Sequence, residues 1–401
     1  QPGDSASRLH ALPSQRPTEP QAQAVRALAR IDLLADGRAP GAVIHDLRRW
    51  HAGALEQKQV HLANDVPWAA APSAAAVVDL PVFDRDHGGC RFAVSATQRP
   101  QRAWANVLAN PEFGCHVTEG GGGHVWAHNS RLLQLTPPSN DPLTDPAAEW
   151  LLLHDLDSDQ VWNAWPAPWG AANAVRYTVE HGPGWTRVAH VHDGIDVVLE
   201  VCVDAVTRIK QTHVKLRTAT RTARRLRVIA VASWQIGARW ADRMSIASAP
   251  SWSSASRFDD DVTIARSSLA LLATQTDAGT GFADSTAFLA LRPRRPQPAW
   301  AFDWTCDRRE LFDARGRGVV PEAFCQRSGT GLDPCAALSI AIDLMPSVVE
   351  EVTLLLGHAD STGAAQALAR ETCAVDPAER SERARGAWRE RLHSVQVRTP
   401  D

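Results

Sequence analysis

From about Ala76 onward, apolar residues recur at every second position. In Thr212-His213-Val214-Lys215-Leu216-Arg217 the polar set His213, Lys215 and Arg217 alternates with Val214 and Leu216, which predicts an antiparallel strand with one buried face. A turn around Thr220 to Arg224 follows, and then Leu226, Val228, Ala230, Ala232 and Trp234 share one face of the next strand. Runs of the same kind over 185–191, 195–203, 285–291, 336–344 and 349–356 predict a many-stranded sandwich or barrel.

The flanks have helical periodicity instead. Residues 1–17 are polar and rich in Pro and Ser, which predicts a disordered tail. Thr18 is placed to cap a helix entered through Pro20 and closed near Gly37, with Val25, Leu28 and Ile31 at helical spacing. A second helix is expected over 41–62, where Val43, Leu47, Trp50 and Leu55 need a partner surface. The Pro/Ala-rich stretch 66–76 reads as a linker. After Gly357 the pattern turns helical over 363–371 and 377–393, the last helix so charged that a surface or a domain junction is its expected place. The expected organisation is a tail over 1–17, a helical segment and linker over 18–75, a β-sandwich over 76–360 and a helical linker over 361–401.

Composition narrows the class. With 401 residues, 44% of them hydrophobic, the chain can bury on the order of 75% of its unfolded surface. No apolar run approaches the roughly 18 residues that span a bilayer, and no charged start leads into an apolar signal region. Net charge is −3 and arginines are interleaved with acids, so nucleic acid is not an expected partner. The seven cysteines are scattered, with no C-x-x-C pair; they read as small buried residues in a reducing, cytoplasmic compartment.

The densest polar segment runs from Trp126 to Glu149 as WAHNSRLLQLTPPSNDPLTDPAAE. Pro137, Pro138, Pro142 and Pro146 lack a backbone donor and fix φ, which predicts an extended loop held in one shape. The segment resembles the pattern W-x-x-N-S-R-x-x-x-L-T-P-x-S-N-D-P-x-x-D-P of the glycoside phosphorylase family that includes cellobiose phosphorylase and the phosphorylase-like region of cyclic β-1,2-glucan synthases (glycoside hydrolase family 94, formerly glycosyltransferase family 36). The resemblance spans roughly 79–357. It takes in Asn106 to Gly114 (family N-V-x-x-N-P-x-F-G), the glycine turn Glu119 to Gly123, Gly184-Trp185-Thr186-Arg187, His190, Trp234, Gly237 and the stretch GTGLDPCAAL from Gly329 to Leu338. Two positions depart from the pattern: the tryptophan after T-P is Pro138, and the serine opening the glycine turn is Thr118.

This resemblance implies a mainly β fold, a large antiparallel β-supersandwich of the galactose mutarotase-like type with helical flanks. In the family the supersandwich is joined by helices to an (α/α)6 barrel that holds the catalytic acid and the phosphate site. Here 396–401 resembles the last six positions of the V-x-V-x-T-P-D at the threshold of that barrel, so the expectation is a module without its catalytic part, and a start at Gln1 is compatible with a fragment. The implied chemistry of the barrel is inverting phosphorolysis or its reverse on β-glucans. Inorganic phosphate would be its substrate, with no metal or organic cofactor. The implied partners are a β-glucan or gluco-oligosaccharide, the barrel and a homodimer mate. As part of a larger synthase the module would lie on the cytoplasmic side of the inner membrane.

Trp126, Asn129, Arg131, Gln134, Asn140 and Asp141 are the residues expected to face sugar or barrel, because amides and guanidinium match vicinal hydroxyls with planar hydrogen bonding. No catalytic residue is assigned. Each sharper alternative has a plainer competitor. His190 and His192 share a strand face near His181, as two metal ligands would, but no third ligand has suitable spacing. Asp141 and Asp145 read as turn acceptors more than as paired catalytic carboxylates. The run Gly120 to Gly123 lacks the Lys-Ser/Thr of a phosphate loop and suits a tight turn or close backbone approach. Trp162, Trp165 and Trp169 suit packing at least as well as a sugar platform. Two alternatives remain: a stand-alone carbohydrate-binding sandwich and an aldose mutarotase-like enzyme, the latter requiring a His and an Asp or Glu converging in one concave site.

Overall fold

Alternate residues of a strand point to opposite faces, so the period-two segments can stack apolar face on apolar face. The computed structural model describes residue 18 and residues 37–56, 59–61, 81–84, 88–95, 99–100, 102–138, 147–166, 175–253, 255–257, 264–312 and 318–394. Every strand ladder among them is antiparallel, and the fold is a mainly β supersandwich.

A ten-stranded sheet runs in the order Ile246–Trp252, Leu269–Gln275, Thr286–Pro293, Glu350–Ala359, Ile209–Thr218, Ile195–Val203, Trp185–His192, Arg176–Gly182, Gly89–Ser95 and Val82–Asp84. Facing it is a five-stranded sheet ordered Phe302–Asp307, Pro334–Leu344, Arg224–Ser233, Glu149–Asp155 and Gln160–Asn163. One core lies between them. Val197, Leu199, Val214 and Leu216 enter it from the large sheet, and Leu226, Val228, Ala230, Ala232 and Trp234 from the second. The face expected from the spacing of 226–234 is therefore the core face. A three-stranded sheet of Ala105–Ala109, Phe113–Thr118 and Gly123–Ala127 adds Leu108, Phe113, Val117 and Val125 to the same core.

The outer faces are also covered in part. Ile229 and Val231 pack with Leu311, Val320 and Phe324 outside the second sheet. Outside the large sheet, Ile209, Phe288 and Leu355 pack under Ala365, Ala369 and Cys373 of the Thr362–Ala374 helix, whose small residues at every fourth position allow the close approach. Ser361 caps that helix by accepting from Ala364 N, and Asp376 caps Pro377–His393 by accepting from Ala378 N and Glu379 N, with Pro377 in the first turn.

Three expectations are corrected. The helix expected over 41–62 ends earlier, as Pro40–Glu56, and Gln59–His61 instead pairs with Val319–Pro321; cross-strand pairing outweighs local helical spacing there. Leu47 is exposed on that helix, while Val43 is buried. The charged terminal helix is not only superficial, since Arg380 and Ser381 are buried against the large sheet. The expected tail, the 18–37 helix and the 66–76 linker lie outside the described residues, residue 18 and residue 37 apart.

Candidate functional site

The polar edge is assembled from four turns. Asn110, in the hairpin between Ala105–Ala109 and Phe113–Thr118, accepts from Glu112 N and Phe113 N through Oδ1. Its Nδ2 donates to Asp204 O at 2.9 Å and Thr207 O at 2.8 Å. One buried amide thus ties that hairpin to the turn between Ile195–Val203 and Ile209–Thr218. Arg208 leaves the second turn to meet Glu112 at 2.9 Å and Asp360 at 2.8 Å, the latter lying just before the Ser361 cap. His128, at φ 56 in the left-handed region, donates its backbone N–H to Glu112 O at 2.6 Å and reaches Asp360 through Nε2 at 3.2 Å.

The expected site residues fall differently along this edge. Asn129 is exposed, but its Oδ1 accepts from Arg131 N and Leu132 N, so it shapes the turn first. Arg131 is exposed, and its guanidinium has no partner among the described residues. Gln134 is corrected: it is buried, with Nε2 donating to Ser130 O and Oε1 accepting from Gln235 Nε2, while its backbone pairs with Gly237. A buried amide with its groups engaged faces neither sugar nor a barrel. Trp126 is half-buried, and its ring lies across Gly114, where a Cβ would come within 2.5 Å of Trp126 Cζ2. Asn140, Asp141 and Asp145 lie outside the described residues.

The other constellations resolve into packing. His190 Nε2 accepts from Trp162 Nε1 at 3.0 Å, and Tyr177 and His192 cover this pair. Burial lowers the His190 pKa to about 3, and the neighbouring His192 acts in the same direction. Trp162 and Trp165 are core residues, so neither is an exposed platform; Trp169 lies outside the described residues. Gly123 has φ +117, and a Cβ on it would come within 1.9 Å of His116 O, so the glycine run serves close backbone approach. No disulfide joins the cysteines; five are buried, Cys90 is half-buried and Cys325 is exposed.

Clefts also open elsewhere among the described residues. One of about 690 Å³ on the outer face of the second sheet is lined by Trp300, Arg227, Asp303, Glu322, His154 and Asp159. Trp300 is 78% exposed, and His154 Nε2 lies 2.8 Å from Asp159 Oδ1. A smaller one of about 360 Å³ is walled by Phe83, Val107, Trp388 and Leu392, of which Phe83, Val107 and Leu392 are exposed apolar residues.

Among comparisons with known proteins, the family pattern described as "Glycosyl hydrolase 94, supersandwich domain" matches residues 91–375, more than half of the chain. The chain belongs to the glycosyl hydrolase 94 supersandwich family. A relative, "Cyclic beta-(1,2)-glucan synthase NdvB" of Rhizobium meliloti (strain 1021), is 27% identical over 314 residues, covering 76% of this chain and 10% of its own length. The chain thus spans about a tenth of that relative. Among solved structures, a bacterial glucoamylase complexed with acarbose superposes with a TM-score of 0.43 at 9% identity, over 77% of this chain and 41% of that one. A GalM/aldose epimerase homologue from C. elegans gives 0.37 at 11% identity, over 65% and 100%.

Within this glycosyl hydrolase 94 supersandwich, the edge residues that sequence reasoning missed are Glu112, His128, Arg208 and Asp360, together with His358, whose ring stands edge-on to that of His128. His128 occupies an unassigned position of the loop motif, while Arg208 and Asp360 come from turns far along the chain. Only the folded sheet order brings them together. No local spacing could have marked them.

Proposed function

We propose that the chain is a noncatalytic module of a cyclic β-glucan synthase-like or β-glucan phosphorylase-like protein, presenting its polar edge to a gluco-oligosaccharide at the junction with a catalytic barrel. The observation that carries this reading is Arg131: an exposed guanidinium, without a partner among the described residues, on a turn fixed by Asn129. A planar fork of donors on a preset turn suits vicinal sugar hydroxyls and loses little entropy on binding. Family membership supports the substrate class, and the exposed apolar wall at Phe83, Val107 and Leu392 suits a covering domain. Asn140 and Asp141 belong to the same motif and join the proposed edge on that ground alone.

The test is direct. Incubation of the chain with β-1,2-gluco-oligosaccharides and inorganic phosphate should release no glucose 1-phosphate above a buffer control. The same oligosaccharides should perturb the NMR signals of residues 129–132. Turnover by this chain, or perturbation confined to another face, overturns the reading.

A second reading, a stand-alone carbohydrate-binding sandwich, is favoured by the Trp300 cleft, where an exposed indole stands beside carboxylates and an imidazole. Quenching of tryptophan fluorescence by oligosaccharide that is lost in Trp300→Ala would favour it. The pairing of His154 with Asp159 in that cleft also meets the minimum requirement of mutarotase chemistry. Unchanged anomer interconversion in the presence of the chain would remove that variant.

A further inference from the structure

His128, His358 and Asp360 each offer a ligand atom, and the three atoms lie within 4.8 Å of one another. We propose that they form a binding site for one divalent late first-row transition metal, with zinc as the representative ion. Two imidazoles and one carboxylate are the donor set that such ions prefer, and three protein ligands leave a position open for water or substrate.

His358 distinguishes this group from an ordinary surface cluster. It is 1% exposed, and its Nε2 lies 2.6 Å from Ser285 Oγ. An Nε2–H donated to that hydroxyl fixes the ring and leaves Nδ1 with a lone pair, the arrangement by which a second shell orients a metal-bound imidazole. Nδ1 is buried and has no hydrogen-bond partner among the described residues. A buried polar atom left unsatisfied is costly, and a metal ion would satisfy it.

The other two ligands have exposed side chains, so side-chain shifts alone can complete the site. Ligands around a tetrahedral zinc at about 2.0–2.2 Å stand about 3.3 Å apart, so closure needs shifts of roughly 1 Å. His128 and Asp360 are both exposed and already 3.2 Å apart. The His128 ring stands edge-on to that of His358, with ring centroids 5.7 Å apart.

Charge permits a cation here. Arg208 bonds Asp360 Oδ1 and opposes an incoming ion, but Glu112 bonds the same guanidinium at 2.9 Å. Two carboxylates against one guanidinium leave a net negative charge beside two imidazoles. Arg208 then holds the Asp360 carboxylate in place, and it also lowers the affinity below that of an all-acidic surround.

Equilibrium dialysis of the full chain with zinc chloride at neutral pH should give saturable binding of about one ion. His128→Gln and Asp360→Asn alter exposed side chains, so both variants should keep the parent circular dichroism, and each should weaken binding by at least about tenfold. Cobalt substituted for zinc should show visible d–d bands without thiolate charge transfer, which separates this site from the cysteines. Absence of saturable binding, affinity unchanged in either variant, or thiolate bands in the cobalt spectrum would overturn the proposal.

Discussion

Arg380 Nε, buried on the terminal helix, lies 3.2 Å from Asp204 Oδ2 in the turn that Asn110 also grips. Arg380 further donates to Gln211 Oε1 and Thr372 O, each at 2.7 Å. Gln211 in turn donates to Pro377 O and Ser381 Oγ. This network connects the helix, the large sheet and the polar edge.

Removing one member of a buried ion pair leaves the other charge uncompensated, at a cost of about 3–5 kcal/mol. Arg380→Ala should therefore release the terminal helix or lower global stability by about that amount. Limited proteolysis across 376–394 and urea denaturation distinguish these two outcomes. A variant that is both protease-resistant and within about 0.5 kcal/mol of the parent would show that the network contributes nothing net.

The sandwich strands are legible in the sequence because each has a polar face or a turn signal to set its phase, as in 212–217. The helices after Gly357 are legible for a similar reason: Ser361, Asp376 and Pro377 mark their starts. Residues 59–61 are not, because their strand state depends on a partner some 260 residues away at Val319–Pro321. The polar edge divides the same way. Asn129 and Arg131 stand out in the loop motif, whereas Gln134 belongs to the same motif and is buried by Gln235, a contact that no loop pattern contains. His358 lies near the end of an apolar strand and Asp360 just after it, with nothing local to distinguish them.

Acid should destabilise the fold through its buried histidines. Burial lowers His190 and His358 from the ordinary 6.5 to about 3, and His181 to about 4. The unfolded chain then binds protons that the folded chain refuses. The contribution of neutral histidine is complete above about pH 6.5 and is lost as pH falls toward the folded values, by about 1.4 kcal/mol per pH unit for each group. The urea midpoint should fall between pH 7 and pH 5, and His190 should remain neutral in NMR spectra at pH 5. A flat midpoint over that interval would refute the assignment.

Gly123 supports a sharper substitution test. At φ +117, with His116 O 1.9 Å from where a Cβ would stand, Gly123→Ala combines backbone strain with a clash against main chain. Left-handed strain alone costs about 1–3 kcal/mol, and the carbonyl cannot swing aside as a side chain could. Thermal denaturation should show a loss of at least that size. Gly386→Ala serves as the control: no neighbour lies within 4 Å of its Cβ position, and it sits within the terminal helix, so it should leave the protein as stable as the parent or slightly more so.

Arg131 separates binding from folding. Its guanidinium is exposed and has no partner among the described residues, so Arg131→Ala should change stability by no more than about 0.5 kcal/mol. Should the side chain meet sugar, its charge-assisted hydrogen bonds are worth about 1.5–3 kcal/mol, and oligosaccharide affinity should fall roughly tenfold or more. Titration calorimetry in a protein that also carries the barrel measures this term. Arg131→Lys adds resolution, because a point charge cannot reproduce a bidentate fork: it should recover little affinity if paired hydroxyls are recognised, and most of it if only charge matters. Unchanged affinity in Arg131→Ala would return the loop to scaffolding and leave the Trp300 cleft as the sugar-facing candidate.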